Sequence, residues 1–401
     1  MSPDAATRRD PAAGVYAVIA VTWLATRVVA LISVDMTPWM LNDFAIYQSW
    51  VPVLQSGGYP AADPTWQYPP GSGPLFLLAG AIPVDFRWAF TLVILAADAA
   101  TMATLLVAHA RRAAASLRGP WLWSAAGIVV GSIMMVRFDV VPTLFAVLAV
   151  LLVARPALAG ASAALGLVVK AWPALLLLIL PRRALPRGLL GFAVTAGVVL
   201  IGFSLAFRDS LSFLGNQQAR GIQVESVGAL PYLLHSLTGG EVAFGLQYGS
   251  IQVLMDGTEA VGLAVTIVGV ALFGLLVWWR LSGRLEAVPP GDVALAAMLV
   301  AVSTSRVYSP QFNVWLVGVT AVALLDPRTR TRRIAVLVVG VSVLTQFVYP
   351  WSATQLVTGG SAAIIVQTLR VVLLVAAAIL ALLALRRPAG LPHPDREVLP
   401  V

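Results

Sequence analysis

The chain has 401 residues, of which 59% are apolar and only 11% charged, and its formal net charge is +8. A soluble domain carries about 25% charged residues, so this composition excludes an ordinary soluble enzyme, and the recurring apolar runs favour one membrane domain over several soluble ones. There is no cysteine, which excludes disulfides, thiolate metal sites and cysteine nucleophiles. The positive charge sits in short arginine clusters between apolar runs, as membrane anchors do, and not in a nucleic-acid patch.

Taken in chain order, the run 15–34 is long for a signal-peptide core and lacks a small-residue cleavage site, so it predicts a retained first span. Further spans are predicted at 88–109, 121–136, 140–154, 158–169, 172–180, 189–207, 260–279, 293–304, 312–325, 334–349 and 362–385. A full crossing needs roughly 20 apolar residues, fewer inside a bundle, and two of the twelve are short. The fold class is therefore all-α, a polytopic membrane protein of about 12 transmembrane helices.

The basic clusters test the count. They are Arg8/Arg9, Arg111/Arg112/Arg118, Arg155, Arg182/Arg183/Arg187, Arg280/Arg284, Arg328/Arg330/Arg332/Arg333 and Arg386/Arg387. With twelve spans and a cytoplasmic N-terminus, every cluster falls inside, in a plasma (inner) membrane. That requires 158–180 to be a hairpin turning at Lys170-Ala171-Trp172-Pro173. Residues 1–387 then form one membrane domain, with outer loops at 35–87 and 208–259. The Pro-rich piece 388–401 is expected to be a disordered cytoplasmic tail. The apolar piece 74–83 is too short to span and is expected to be interfacial or re-entrant, within a first outer loop that holds interfacial helices.

Several outward features are not anchors. Asp43, in Asn42-Asp43-Phe44, follows the first span by some eight residues. It suits a base facing a lipid-borne substrate, or an N-cap of a short helix. Gln67-Tyr68-Pro69-Pro70-Gly71 is a stiff turn, with Tyr68 a candidate wall of a site. Arg137, Lys170 and Arg306 lie at outer helix ends, against the positive-inside trend, and Lys170 is the only lysine. An anionic headgroup or a phosphate accounts for them, as does snorkelling, and Arg137 has Asp139 as an alternative partner. Arg306-Val307-Tyr308-Ser309-Pro310-Gln311 gathers polar groups where one span ends and the next begins; Ser309-Pro310 also suits a helix start. In the second loop, 216–226 is rich in amides and contains Arg220 and Glu225, with His235 beyond it. Such groups suit sugar hydroxyls and equally a solvated loop. His235 is the one histidine placed outside, which argues against a histidine metal site.

The early acid, the Tyr68-Pro69-Pro70 turn, Arg137-Phe138-Asp139-Val140-Val141-Pro142, the spacing Gly166, Lys170, Pro173 and the run Ser309-Pro310-Gln311-Phe312 together resemble the polyprenyl-phosphate-dependent glycosyltransferases of the GT-C fold, most closely glycosyltransferase family 87, the α-mannosyltransferase-like group. The resemblance covers about 15–385. It implies a GT-C-like membrane enzyme that takes a sugar, mannose by preference, from a polyprenyl phosphate at the outer face. The sugar passes to a glycolipid or glycan acceptor with inversion. It also implies Asp43 as the base and Lys170, Arg306 and Arg137 around the donor phosphate. Tyr47, Tyr68, Asp139, Trp172, Tyr308, Gln311, Glu225 and His235 are the expected substrate contacts. A phosphate leaving group needs fixed cations more than a proton donor, and one carboxylate suffices for the attacking hydroxyl. Phe44 follows Asp43, so there is no Asp-x-Asp pair, and no metal or other cofactor is expected. Membrane lipids are the remaining partners; nucleic acid is not one. A transporter or flippase of an anionic substrate, and a non-catalytic envelope subunit, are the alternatives. The first lacks the repeated halves common in transporters.

Overall fold

The structure, a computed structural model, describes residues 11–218 and 220–386. Arg8, Arg9, Ala219, Arg387 and the expected tail 388–401 lie outside the described residues. Long apolar runs can satisfy their backbone groups in lipid only as helices or closed barrels, and this chain is mostly helical. α1 (Pro11–Asp35) is followed in the first long loop by α2 (Leu41–Gln55) and α3 (Gly73–Ala81). Then come α4 (Phe86–Ala110), α5 (Arg118–Val129), α6 (Ile133–Val136), α7 (Val140–Leu151) and α8 (Pro156–Val169). A 3-10 helix (Trp172–Ile179) leads to α9 (Leu185–Ala206). The second long loop holds α10 (Phe213–Gln218), α11 (Leu230–Leu237) and an antiparallel hairpin of β1 (Phe244–Gln247) and β2 (Ser250–Val253), with Phe244 opposite Val253. α12 (Thr258–Leu281), α13 (Pro290–Ser303), α14 (Phe312–Ala323), α15 (Arg332–Gln346), α16 (Ala353–Val357) and α17 (Ser361–Arg386) complete the chain. The hairpin is a small exception to the all-α expectation.

Each of the twelve expected spans contains helix, but among the described residues six helices are long and apolar enough to cross a membrane: Gly14–Asp35, Phe86–Ala110, Leu185–Ala206, Thr258–Leu281, Arg332–Trp351 and Ser361–Arg386. The chain is thus a multi-pass membrane protein. The other predicted spans are shorter helices, and burial explains why they can be. α13 and α14 are buried along nearly their whole lengths, so their ends meet protein and need not reach both headgroup layers. α9 is the opposite case. It buries only Gly188 and Ala196 and turns leucine, valine and isoleucine outward, a surface that lipid covers.

The hairpin expected at 170–173 is present. α8 ends at Val169, Lys170 is extended (φ −157°, ψ 131°), and the 3-10 helix starts at Trp172. Gly166 allows the two limbs to close, because a Cβ there would lie 2.7 Å from the Pro173 ring. Gly71 does the same for the Tyr-Pro-Pro turn: a Cβ would lie 2.5 Å from the carbonyl oxygen of Val168. The turn therefore packs directly against the end of α8 that presents Lys170.

Several of the described basic clusters are joined by hydrogen bonds at one end of the bundle. Arg112 donates to the Leu151 carbonyl, the Ser116 amide to Leu325, Arg330 to Ala384 and the Arg182 amide to Glu286. α7 runs from that end, at Leu151, to the opposite end, at Asp139. Between the ends, α1, α4 and α5 share a buried ion pair. Arg27 grips Asp98 with two nitrogens (2.6 and 2.8 Å), and its other donors reach the carbonyls of Trp123 and Ser124. Trp23 adds a third donor to Asp98 (3.0 Å).

Candidate functional site

At the end opposite the basic clusters the loops enclose a cavity of about 1430 Å³. α2 forms one wall. Its buried stripe Asp43, Phe44, Tyr47, Trp50, Val51 and Leu54 recurs at helical spacing, so Asp43 and Tyr47 come to the inner face together. The 306–315 segment and residues 220–225 of the second loop supply further polar lining. A third side is apolar: Gly269, Val270 and Phe273 of α12, Met298 and Ala301 of α13, and Leu175. α12 is itself largely exposed, so this side borders the lipid-facing surface.

Asp43 is at the third position of α2 and does not cap it; the N-cap is Met40, with no side-chain bond to the helix. The capping alternative is therefore not how the carboxylate is used. It pairs instead with Arg137, Nη2 to Oδ1 at 2.7 Å. Arg137 Nη1 donates to the Tyr47 hydroxyl (3.1 Å) and reaches that of Tyr68 (3.5 Å). Burial pushes the Asp43 carboxyl above its ordinary value, with the Arg137 charge pulling the other way. Burial likewise raises the Tyr47 phenol well above its usual range, so it stays a neutral hydroxyl.

Lys170 meets a different partner. Its ammonium is 2.6 Å from Asp139 Oδ1, which also accepts from Trp315 Nε1 at 2.6 Å. The ammonium stands among three rings, Tyr68, Phe138 and Trp315, at 5.4, 5.2 and 5.1 Å. Asp139 is fully buried and lies behind the cavity surface, where it serves as the counter-ion that holds Lys170. Trp172 stacks on Trp315, and Trp315 on Phe312, so one aromatic ladder lines this wall.

Two arginines facing the cavity have no carboxylate partner among the described residues. Arg306 donates from Nε to the Gly262 carbonyl at 3.2 Å and lies near Thr266 Oγ1. Arg220 donates to Ser250 Oγ at 3.0 Å, and burial lowers its pKa from the ordinary value. Both also border a second cavity of about 360 Å³ beside Glu259. The positive charge left over in the site is theirs, because Arg137 and Lys170 are each matched by an acid.

Asp43, Tyr47, Tyr68, Arg137, Lys170, Trp172, Glu225, Arg306 and Gln311 all line the one cavity. Tyr308 does not. It is buried behind the wall, its hydroxyl donating to Asn313 Oδ1 at 3.0 Å. His235 is on the exposed side of α11, away from the cavity. Arg220 was visible only as a member of a polar loop. Trp315 and Tyr349 also line the cavity; neither was singled out from the sequence, Trp315 because it sits within the apolar run of α14 and Tyr349 because it stands at the end of a predicted span, where the backbone is kinked (φ −139°, ψ 123°). Arg370, in the middle of α17, is a charge inside a span and was detectable on that ground. Glu225 is buried and has Arg370 as its nearest cation, at 3.8 Å. Burial pushes its carboxyl up to about 7, against the opposing pull of Arg370. No three histidine, aspartate or glutamate side chains among the described residues are grouped to hold a metal ion.

Compared with known proteins, the chain matches the family model for glycosyltransferase family 87 over residues 66–310. No curated protein and no solved structure matches it.

Proposed function

For a chain that belongs to glycosyltransferase family 87, and is therefore a glycosyltransferase, we propose that the donor is a polyprenyl-phosphate sugar, mannose in the first instance, and the acceptor a hydroxyl of a glycolipid or glycan. Transfer occurs with inversion at the outer face of the membrane, in a twelve-pass, GT-C-like arrangement whose basic end is cytoplasmic. One observation carries this reading: Asp43, Lys170 and Arg306, which has no carboxylate partner among the described residues, open onto a single cavity whose third side is apolar and continuous with the lipid-facing α12. A polar head and an apolar chain on one substrate fit that combination.

The chemistry follows from the side chains. The acceptor oxygen attacks the anomeric carbon while Asp43 takes its proton. The carbon–oxygen bond to the phosphate breaks, and the lipid phosphate leaves as an anion. Arg306, Arg220 and Lys170 stabilise that charge without reorganising. Arg306 and Arg220 contribute most, because Asp139 already offsets Lys170. Arg137 positions the Asp43 carboxylate and holds Oδ1, leaving Oδ2 for the acceptor hydroxyl. Tyr47, Tyr68, Trp172 and Gln311 shape the pocket, with Asp139 and Tyr308 behind it. No metal takes part.

The test uses purified protein in lipid nanodiscs with polyprenyl-phosphate-mannose and a panel of glycolipid acceptors, products being read by mass spectrometry. Transfer that survives EDTA, with an inverted anomeric centre, is the expected result. Absence of transfer from any polyprenyl-phosphate sugar overturns the donor assignment. Loss of activity in EDTA, restored by a divalent cation, overturns the metal-free chemistry.

A further inference from the structure

Glu225 stands apart from the Asp43 centre and plays no part in the chemistry above. Its residue is 6% exposed and lines the cavity, while its Oε2 is shut away from the cavity on the side of Arg370 and makes no hydrogen bond. A buried carboxylate oxygen left without a donor is costly and rare, so the reason for this one matters. Nearby cations do not supply it. Arg370 Nη2 is 3.8 Å away, beyond hydrogen-bond reach, and is directed to the Tyr308 carbonyl at 3.5 Å, while Nε makes no hydrogen bond among the described residues. Nη1 donates to Gln367 Oε1 at 2.8 Å, and the group lies 4.0 Å over the Tyr308 ring.

The backbone that presents Glu225 is held from three sides. Gln367 on α17 donates to the Glu225 carbonyl at 2.8 Å. The Val224 amide donates to Ile251 of the hairpin, and the Gln223 amide to the Arg306 carbonyl, both at 3.0 Å. An acid so fixed has the preorganisation of a binding group and not the freedom of a solvated loop residue. Asp43, Glu225 and Tyr349 all line the one cavity, so the two acids share one chamber.

We propose that Glu225 is a specificity residue that accepts hydrogen bonds from ring hydroxyls of a sugar in this cavity, with Arg370 as the positioning residue behind it. The proposal rests on the glycosyltransferase reading for its ligand class. The sugar is either the one being transferred or the terminal sugar of the acceptor, since both present the same hydroxyls. Carboxylates suit this task because each oxygen accepts from more than one donor. A site built around a hydroxyl also rejects the analogue lacking it far more strongly than an apolar pocket does.

The experiment compares wild type, Glu225→Gln and Glu225→Ala in nanodiscs. Binding of octyl glycosides and their single-deoxy counterparts is followed through tryptophan fluorescence, which needs no turnover. Wild type is expected to prefer at least one hydroxylated glycoside over its deoxy form. Glu225→Ala should weaken the hydroxylated ligand about 10- to 100-fold and leave the deoxy ligand unchanged, erasing the preference. Glu225→Gln keeps shape and one acceptor oxygen and should fall between. A variant that discriminates as wild type does, or a wild type without any preference, overturns the proposal. Transfer assays then separate the sources: a raised KM for the polyprenyl-phosphate sugar assigns the contact to the donor, a raised KM for the glycoside to the acceptor. A protein that binds glycosides through Glu225 yet uses no polyprenyl-phosphate sugar breaks the donor assignment and leaves this one standing. Should Glu225 be only structural, the alanine variant would lower thermal stability and reduce kcat for every substrate without touching the hydroxyl preference.

Discussion

Two arginine–aspartate pairs in this molecule share their chemistry and differ in their surroundings. Arg27–Asp98, at the α1–α4–α5 seam, is wholly buried, forked, and supplied with further donors and acceptors from Trp23, Thr26, Trp123 and Ser124. Arg137–Asp43 is a single contact at the cavity wall, with side-chain exposures of 18% and 13%. The first is saturated and has nothing to offer a ligand; it offsets the high cost of charge in a low-dielectric bundle and specifies how three helices meet. The second is incomplete: the carboxylate has one contact and its residue lines a cavity of about 1430 Å³. On the proposed function, that open hydrogen-bonding capacity is what sets the Arg137–Asp43 pair apart from the structural one.

The widest separation between the pairs comes from removing their acids. Asp43→Asn should lower kcat/KM by about 10²- to 10⁴-fold, the range for loss of a general base, with an unchanged melting curve. Sugar transfer within a few-fold of wild type would remove Asp43 from the chemistry. Asp98→Ala should do the reverse, because it strands the buried Arg27. A loss of about 3–5 kcal/mol is expected, seen as poor yield and a lower melting temperature, while the material that folds retains its KM. An Asp98→Ala variant as stable as wild type would show that the seam does not depend on the pair.

Arg306→Gln should have a smaller effect, raising the donor KM or lowering kcat about 10- to 100-fold through one charge-assisted contact. Because the Arg306 side chain pairs with no carboxylate among the described residues and hydrogen-bonds only to Gly262 and Thr266, stability should hold, whereas Lys170→Gln also strands Asp139 and should cost both. Unaltered donor kinetics in Arg306→Gln would take the phosphate away from that arginine. The pH profile sharpens the same contrast. Asp43 works only when ionised, and burial raises its pKa above the ordinary 3.8. kcat/KM should therefore fall as pH falls through the raised value, tenfold per pH unit below it. An acid limb in the ordinary aspartate range would contradict a desolvated base. The smallest effect is expected for His235→Ala. Its ring is exposed and away from the cavity, so acceptor kinetics should stay within about twofold of wild type, as for most surface substitutions. A larger change would bring α11 into acceptor binding.

Much of this was legible in the residues alone. Periodic apolar runs and interposed arginines gave the helical membrane class, the turn at Lys170 and the gathering of Asp43, Arg137, Lys170 and Arg306 at one end of the bundle. Local chemistry sufficed there, because lipid forbids unpaired backbone and sorts charge by side. The length of each span was less legible. α13 and α14 are shorter than a full apolar crossing and are enclosed by protein along nearly their whole lengths, and a sequence run cannot say whether lipid or protein surrounds it. Side-chain pairing was the least accessible. Asp139 was a candidate partner for Arg137, and the fold gives it to Lys170 and Trp315 instead, while Arg137 goes to Asp43, 94 positions away in the chain.

Composition and order of residues determined that this chain is a helical membrane protein with a cluster of polar groups at one boundary, because hydration free energies act on each segment independently. Only the tertiary structure decided which acid meets which cation, which residues stand behind the wall, and that Glu225 and Arg370, distant in sequence, face each other beside the same cavity. Those contacts depend on distances of a few ångströms between segments the chain brings together only when folded, and a linear pattern holds no record of them.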